Sequence, residues 1–303
     1  MAGRKTRTRP SGRVADCCFL DEQSGWDAGP ISAKREDDGS MANFGEDDRF
    51  RSQMFEGTNK LQFERPVDDA SRRWWLEKFY DTFGLTPEDM ADRISRSAPG
   101  DKSAVYQFID GSREAFSLRV SGDFPGTQEF WFAHRDLDLK GAAFNAEGMT
   151  IPDEMQGSGY GRELMADLVD TGRLIGIDRI KLRAEQIGRY AWVKMGFRPT
   201  DDAWREMKKE AYALMVEHMS ELRQKLDVTE LMTRIEAGGP KMALTLATLD
   251  VEILSGQIQD RSGRKPMPFG KVFFLEVASP WSGVLDLRDA EAMKIVESYR
   301  KKK

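Results

Sequence analysis

Cysteine is nearly missing from this chain: there are two in 303 residues, Cys17 and Cys18, side by side. Adjacent thiols cannot staple a fold, and with nothing near them they supply no structural metal site, so no metal is expected. Long apolar runs are missing as well. None approaches the ~18 residues of a membrane-spanning helix, so no membrane partner is expected. The first ten residues are basic, but no apolar stretch follows them, so a secretory signal is not expected and the cytoplasm is the expected compartment. Excess positive charge is absent too: 46 Lys+Arg stand against 51 Asp+Glu, a net of −5. That balance argues against a dedicated nucleic-acid binder, whose affinity rests on neutralising phosphates. Arg4, Lys5, Arg7, Arg9 and Arg13 form a local basic exception. They have no interleaved aromatics to stack on bases and read as a solvated tail.

What is present is a globular composition, 40% hydrophobic and 32% charged, long enough for one large domain or two small ones. Residues 1–70 read as a disordered acidic arm with a basic start. From residue 14 to residue 70 there are six basic against fourteen acidic residues, with apolar residues mostly singly (Trp26, Ile31, Phe44, Phe50, Met54, Phe55). Such a segment buries too little to offset chain entropy. Order is expected from Ser71, read as the N-cap of a helix carrying Trp74, Trp75 and Phe79, with both tryptophans as core. Thr86-Pro87 opens a second helix. Strands are expected at 104–110 and 114–121, joined by Gly111-Ser112-Arg113, then at 128–133 and 144–151. A helix at 159–176, a strand at 179–184 and a helix at 188–195 follow, closed by Gly196-Phe197. Beyond Pro199 a mostly helical region with a short β element is expected: helices at 202–226, after Asp227, at 241–254 and at 289–299, with strands at 271–277 and 281–287. The fold class is therefore α+β, with a boundary expected near residue 200.

The chemistry concentrates in Gln156-Gly157-Ser158-Gly159-Tyr160-Gly161. This loop follows a strand and opens a long helix. Three glycines in five residues permit a sharp turn and leave N–H groups uncovered at the positive end of the helix, a cradle for phosphate. It is not a P-loop, because no Lys-Ser or Lys-Thr follows. It is not a dinucleotide fingerprint either, because its glycines run Gly-x-Gly-x-Gly.

The loop resembles the Gln/Arg-x-x-Gly-x-Gly/Ala signature of the GCN5-related N-acetyltransferases. Arg162-Glu163-Leu164-Met165 is similar to that family's cofactor-flanking helix and Ile177–Leu182 to its fifth strand. Tyr190–Phe197 is similar to its closing helix and Gly-Phe turn. The resemblance covers about residues 105–200. It implies a mixed, mostly antiparallel sheet flanked by helices, splayed beside the strand that precedes the loop. It implies acetyl-CoA as acyl donor, its pyrophosphate on the N–H groups of Gln156, Gly157, Ser158, Gly159, Tyr160 and Gly161 with Arg162 beside them. Main-chain groups of the strand bearing Met149 and Ile151 would take the pantetheine arm, and an amine would attack the thioester directly. Glu147, on the strand face shared with Met149 and Ile151, is the candidate base, with Glu185 as second candidate. One departure stands out. The family's general-acid Tyr position holds Trp192, whose indole N–H cannot protonate a thiolate; Tyr190, two residues earlier and roughly on the opposite side of the helix, is the remaining candidate catalytic residue there, and otherwise the thiolate departs without an acid or catalysis is lost. His134 reads either as a base or as an exposed strand-end residue. Asp136, Asp138, Asp153 and Glu154 are acids able to attract a cationic amine, but nothing here selects the acceptor, small molecule or protein. The alternative is a non-catalytic module of the same fold, of a phage or prophage-type assembly, binding a protein partner through residues 1–70 or 201–303.

Overall fold

A computed structural model of the chain describes residues 44–109, 114–260 and 263–300. Both cysteines, the basic segment 1–13 and the Gly111-Ser112-Arg113 connection lie outside these residues. Residues 44–70, expected as part of the loose arm, instead carry helix α1 (Phe44–Gln53) and strand β1 (Leu61–Phe63). Met54, Phe55, Leu61 and Val67 are buried, so apolar residues thinly spread along the sequence join the core.

Helix α2 (Asp69–Trp75) is capped by Asp68, not by the expected Ser71; the Asp68 carboxylate accepts from Ser71 N–H at 2.7 Å. Shifting the cap by three residues puts Ser71 in the first turn, where it is buried. A π-helical turn (Leu76–Tyr80) and a last helical turn, α3 (Asp81–Phe83), continue it. Trp75 is fully buried, donates its indole N–H to Leu85 O at 2.9 Å and packs on Phe79 and Phe116. Helix α4 (Pro87–Ile94) begins with a reciprocal capping box between Thr86 and Asp89.

Strands β2 (Lys102–Ile109), β3 (Ala115–Asp123), β4 (Phe130–Asp138) and β5 (Ala143–Thr150) then run as an antiparallel meander. Helix α5 (Tyr160–Leu174) crosses to β6 (Arg179–Ala184), which pairs with β5 in parallel. Helix α6 (Gly188–Lys194) and the short β7 (Arg198–Pro199) follow.

After β7 come α7 (Asp201–Glu217) and α8 (Met219–Arg223), separated at His218 where one long helix was expected. Helix α9 (Val228–Gly238) is capped by Asp227 as expected. Helix α10 (Met242–Ala247) covers only the first half of the helix expected at 241–254; the rest enters a hairpin of β8 (Glu252–Asp260) and β9 (Gly263–Pro268). The strand expected at 271–277 is helical: α11 (Phe269–Val272) runs into a π-helical turn at Phe273–Val277. Val272, Phe273 and Phe274 are consecutive and buried, and so short an apolar run has no periodicity to separate helix from strand. Strand β10 (Trp281–Asp286) and helix α12 (Ala290–Arg300) close the described chain.

The main sheet has eight strands in the order β1-β2-β3-β4-β5-β6-β10-β7, and only β1–β2 and β5–β6 are parallel. This is the mostly antiparallel sheet flanked by helices that the sequence led us to expect. Strand β10, from the segment beyond residue 200, lies between β6 and β7. Alternation along β4 sends Trp131, Ala133, Arg135 and Leu137 into the core, with Phe132, His134 and Asp136 on the other face.

Candidate active site

The site begins where two strands part. The β5–β6 ladder starts at Ala143↔Arg179 and ends at Ala146↔Leu182. Strand β5 runs on to Thr150. The end of β6 takes its partners from β10 instead, pairing Arg183 with Ser282 and Ala184 with Trp281. Residues 147–150 thus face β6 without pairing to it. The cause lies in the other ladder. Between His134↔Gly148 and Asp136↔Asn145, two β5 residues, Ala146 and Glu147, stand against the single Arg135. Such a bulge bends its strand and raises the local twist.

The glycine loop sits just beyond β5. Gly157 and Gly159 hold φ of +80° and +98°, a region open chiefly to glycine. Gly159 is the N-cap of α5 and offers no side chain to the helix end. The N–H groups of the first turn have no intrahelical acceptor and point out of the helix end with its positive dipole behind them. Gln156 is drawn aside, donating to Asp153 Oδ1 at 2.7 Å, and the Ser158 hydroxyl donates to Met155 O. The Tyr160 ring packs edge-on to Phe124 at 5.0 Å. A Cβ on Gly161 would stand 3.2 Å from both Met149 Cε and Ile151 Cδ1, so a bare residue there lets the helix start close against β5. A Cβ on Gly159 would meet Arg162 Nη2 at 2.7 Å: the guanidinium folds back over the loop while pairing with Glu163 at 3.1 Å. Met149, Ile151 and residues 156–162 therefore lie together at one end of the sheet.

Glu147 occupies the bulge. It is half-buried, and its carboxyl is pushed above the usual range, chiefly by burial and further by Asp136, with His134 acting the other way. His134 Nε2 lies 2.7 Å from Ser117 Oγ and 3.0 Å from Asp136 Oδ1. Both contacts use one ring nitrogen, so this is not a nucleophile-activating triad, which needs one partner on each nitrogen. Glu185 pairs with Arg183 at 3.0 Å on the exposed side of the strand end. Tyr190 turns to the C-terminal segment: its ring faces Phe274 at 6.4 Å, Lys194 Nζ lies 5.8 Å from its centroid, and burial raises its phenol. Trp192 packs against Phe197 at 6.0 Å and crowds Gly188. The structure brings Glu147, His134 and Asp136 together, whereas Glu185 pairs with Arg183 and Tyr190 packs toward Phe274. Ser117 and Arg135 went unread. A signal for Arg135 existed: it is the one charged residue at the alternate positions 131, 133, 135 and 137.

Among the described residues no group of His, Cys, Asp and Glu is arranged to hold a metal, and no helix is long and apolar enough to cross a membrane. No family model matches the chain, and no curated protein sequence matches it. Among solved structures, nourseothricin acetyltransferase is similar at 21% identity and a TM-score of 0.25, over 30% of this chain and 54% of that one. The chain thus spans about half the length of that enzyme.

Proposed function

We propose that this chain is an acyl-CoA-dependent N-acetyltransferase that transfers an acetyl group from acetyl-CoA to an amine by direct attack. One observation carries the reading. The parting of β5 from β6 and the Gly157–Gly161 turn at the start of α5 occur at the same end of the sheet, with Glu147 at the edge of the gap. The first-turn N–H groups of α5 fit a pyrophosphate, and the unpaired β5 edge at 147–150 fits an amide-bearing arm. Acetyl-CoA supplies the reactive thioester when bound.

The residues do the rest. The gap holds the amine in line with the acyl carbon, and positioning of this kind replaces much of the entropic cost of a bimolecular step. Glu147 takes the proton that the amine must lose. Its raised affinity for protons brings it nearer the operating pH of a base. Trp192 supplies no acid; a departing thiolate with a pKa of about 8–9, by analogy with cysteine, needs none near its own pKa. The acceptor is an amine, small molecule or protein.

Calorimetry with acetyl-CoA tests the cofactor site. The wild type is expected to bind, and Gly159→Asp to weaken binding at least tenfold, about 1.4 kcal/mol. No binding by the wild type overturns the reading and favours a domain of this fold without catalysis. If transfer is measured, Glu147→Gln is expected to slow it about 10²–10⁴-fold and to abolish the rise of rate with pH that deprotonation of Glu147 produces.

A further inference from the structure

Arg135 is a cation in the core. It is 2% exposed, and among the described residues no carboxylate pairs with it. Its Nε has no hydrogen-bond partner. Burial alone brings its affinity for protons down, to about 10, so it remains charged at neutral pH. An unpaired buried guanidinium is costly, and an apolar residue of similar length would fill the same space without that cost. Something must hold it there.

Its partners identify what. Nη1 donates to His134 O and to Gly148 O, each at 2.8 Å, and Nη2 lies 3.9 Å from Met149 Sδ. His134 and Gly148 are the last regular pair before the bulge, and Arg135 is the single residue that faces Ala146 and Glu147 across it. A bulge interrupts the ladder and leaves main-chain groups in need of partners. The guanidinium, with donors in a fixed fork, bonds the two carbonyls that flank the bulge on its His134–Gly148 side.

We infer that Arg135 is a positioning residue: by holding the His134 and Gly148 carbonyls it maintains the bulge that presents Glu147 and keeps residues 147–150 out of the β6 ladder. The assignment rests on the acetyltransferase reading only for its purpose; the structural coupling stands without it. Loss of the clamp lets β5 regularise toward strict alternation, which carries Glu147 away from His134 and Asp136 to the face of residue 135 and lets residues 147–150 extend the β6 ladder.

The experiment is amide hydrogen exchange by NMR over residues 147–150 in the full chain as wild type, Arg135→Met and Arg135→Lys. In the wild type the amides of this stretch that face β6 are expected to exchange fast, because β6 pairs with β5 only as far as Ala146. In Arg135→Met they are expected to slow by about tenfold or more as the stretch joins the β6 ladder, with partial return in Arg135→Lys. Unchanged exchange in Arg135→Met, with the rest of the sheet as protected as in the wild type, overturns the inference. Should Arg135→Met fail to fold, Arg135→Gln provides the same comparison. Acetyl-CoA titrated into the wild type separates the two ideas: no binding defeats the cofactor reading, while the exchange of residues 147–150 still decides the role of Arg135.

Discussion

A carboxyl held half-buried beside Asp136 binds its proton more tightly in the folded chain than in the unfolded one. Glu147 therefore favours the folded state below its unfolded pKa, and that contribution is lost as the pH rises through its higher folded pKa. Glu147→Gln, which does not ionise, is expected to gain stability at about pH 7 and none at about pH 4, read as the shift in urea midpoint at the two values. An equal effect at both would show that ionisation of Glu147 carries no conformational cost. The proposed role of Glu147 as base would thus come at the expense of stability, the usual trade at a working site. At this scale strand alternation placed Glu147 on the face of Met149 and Ile151, but the bulge sets it beside His134 and Asp136 instead. His134 and Asp136 reach it through the register of β4 against β5, and Arg135 matters because of a bulge that no local pattern announces.

At the scale of elements, caps carry much of the information. Thr86-Pro87-Glu88-Asp89 is written for a helix start, and Thr86 and Asp89 exchange both capping bonds. Thr86→Ala is expected to cost about 1 kcal/mol, measured by urea unfolding. An unchanged midpoint would mean that solvent satisfies the helix end as well. The same logic failed at Ser71 because Asp68, three residues earlier, competes for the role and wins with a charged acceptor. Loop and helix at 156–174 were readable because glycine and helical periodicity act within a few residues. The segment 269–277 was not, since Phe269, Val272, Phe273 and Phe274 form a short buried run in which Lys271 and Glu276 are too few to mark a period.

At the scale of the whole molecule, the C-terminal segment enters the sheet that holds the site. Strand β10 pairs with β6 along Trp281–Asp286, and Arg189 of α6 donates to Leu275 O at 2.6 Å and to Ala278 O. A chain ending at Pro199 would leave the β6 edge bare and remove the buried Trp281 and Leu285. Such a chain is expected to aggregate or to show no cooperative thermal transition by circular dichroism; a cooperative transition like that of the full chain would show that β10 is dispensable. The sequence by itself determined the elements whose signals are local: the capped helices, the meander of alternating strands and the glycine turn. Only the tertiary structure decided which strand closes the sheet, that β5 parts from β6 after Ala146, and that a buried guanidinium stands behind the bulge. These outcomes depend on hydrogen bonds between residues far apart in the chain, and their register is set by which faces find apolar partners, a quantity no short window of sequence contains.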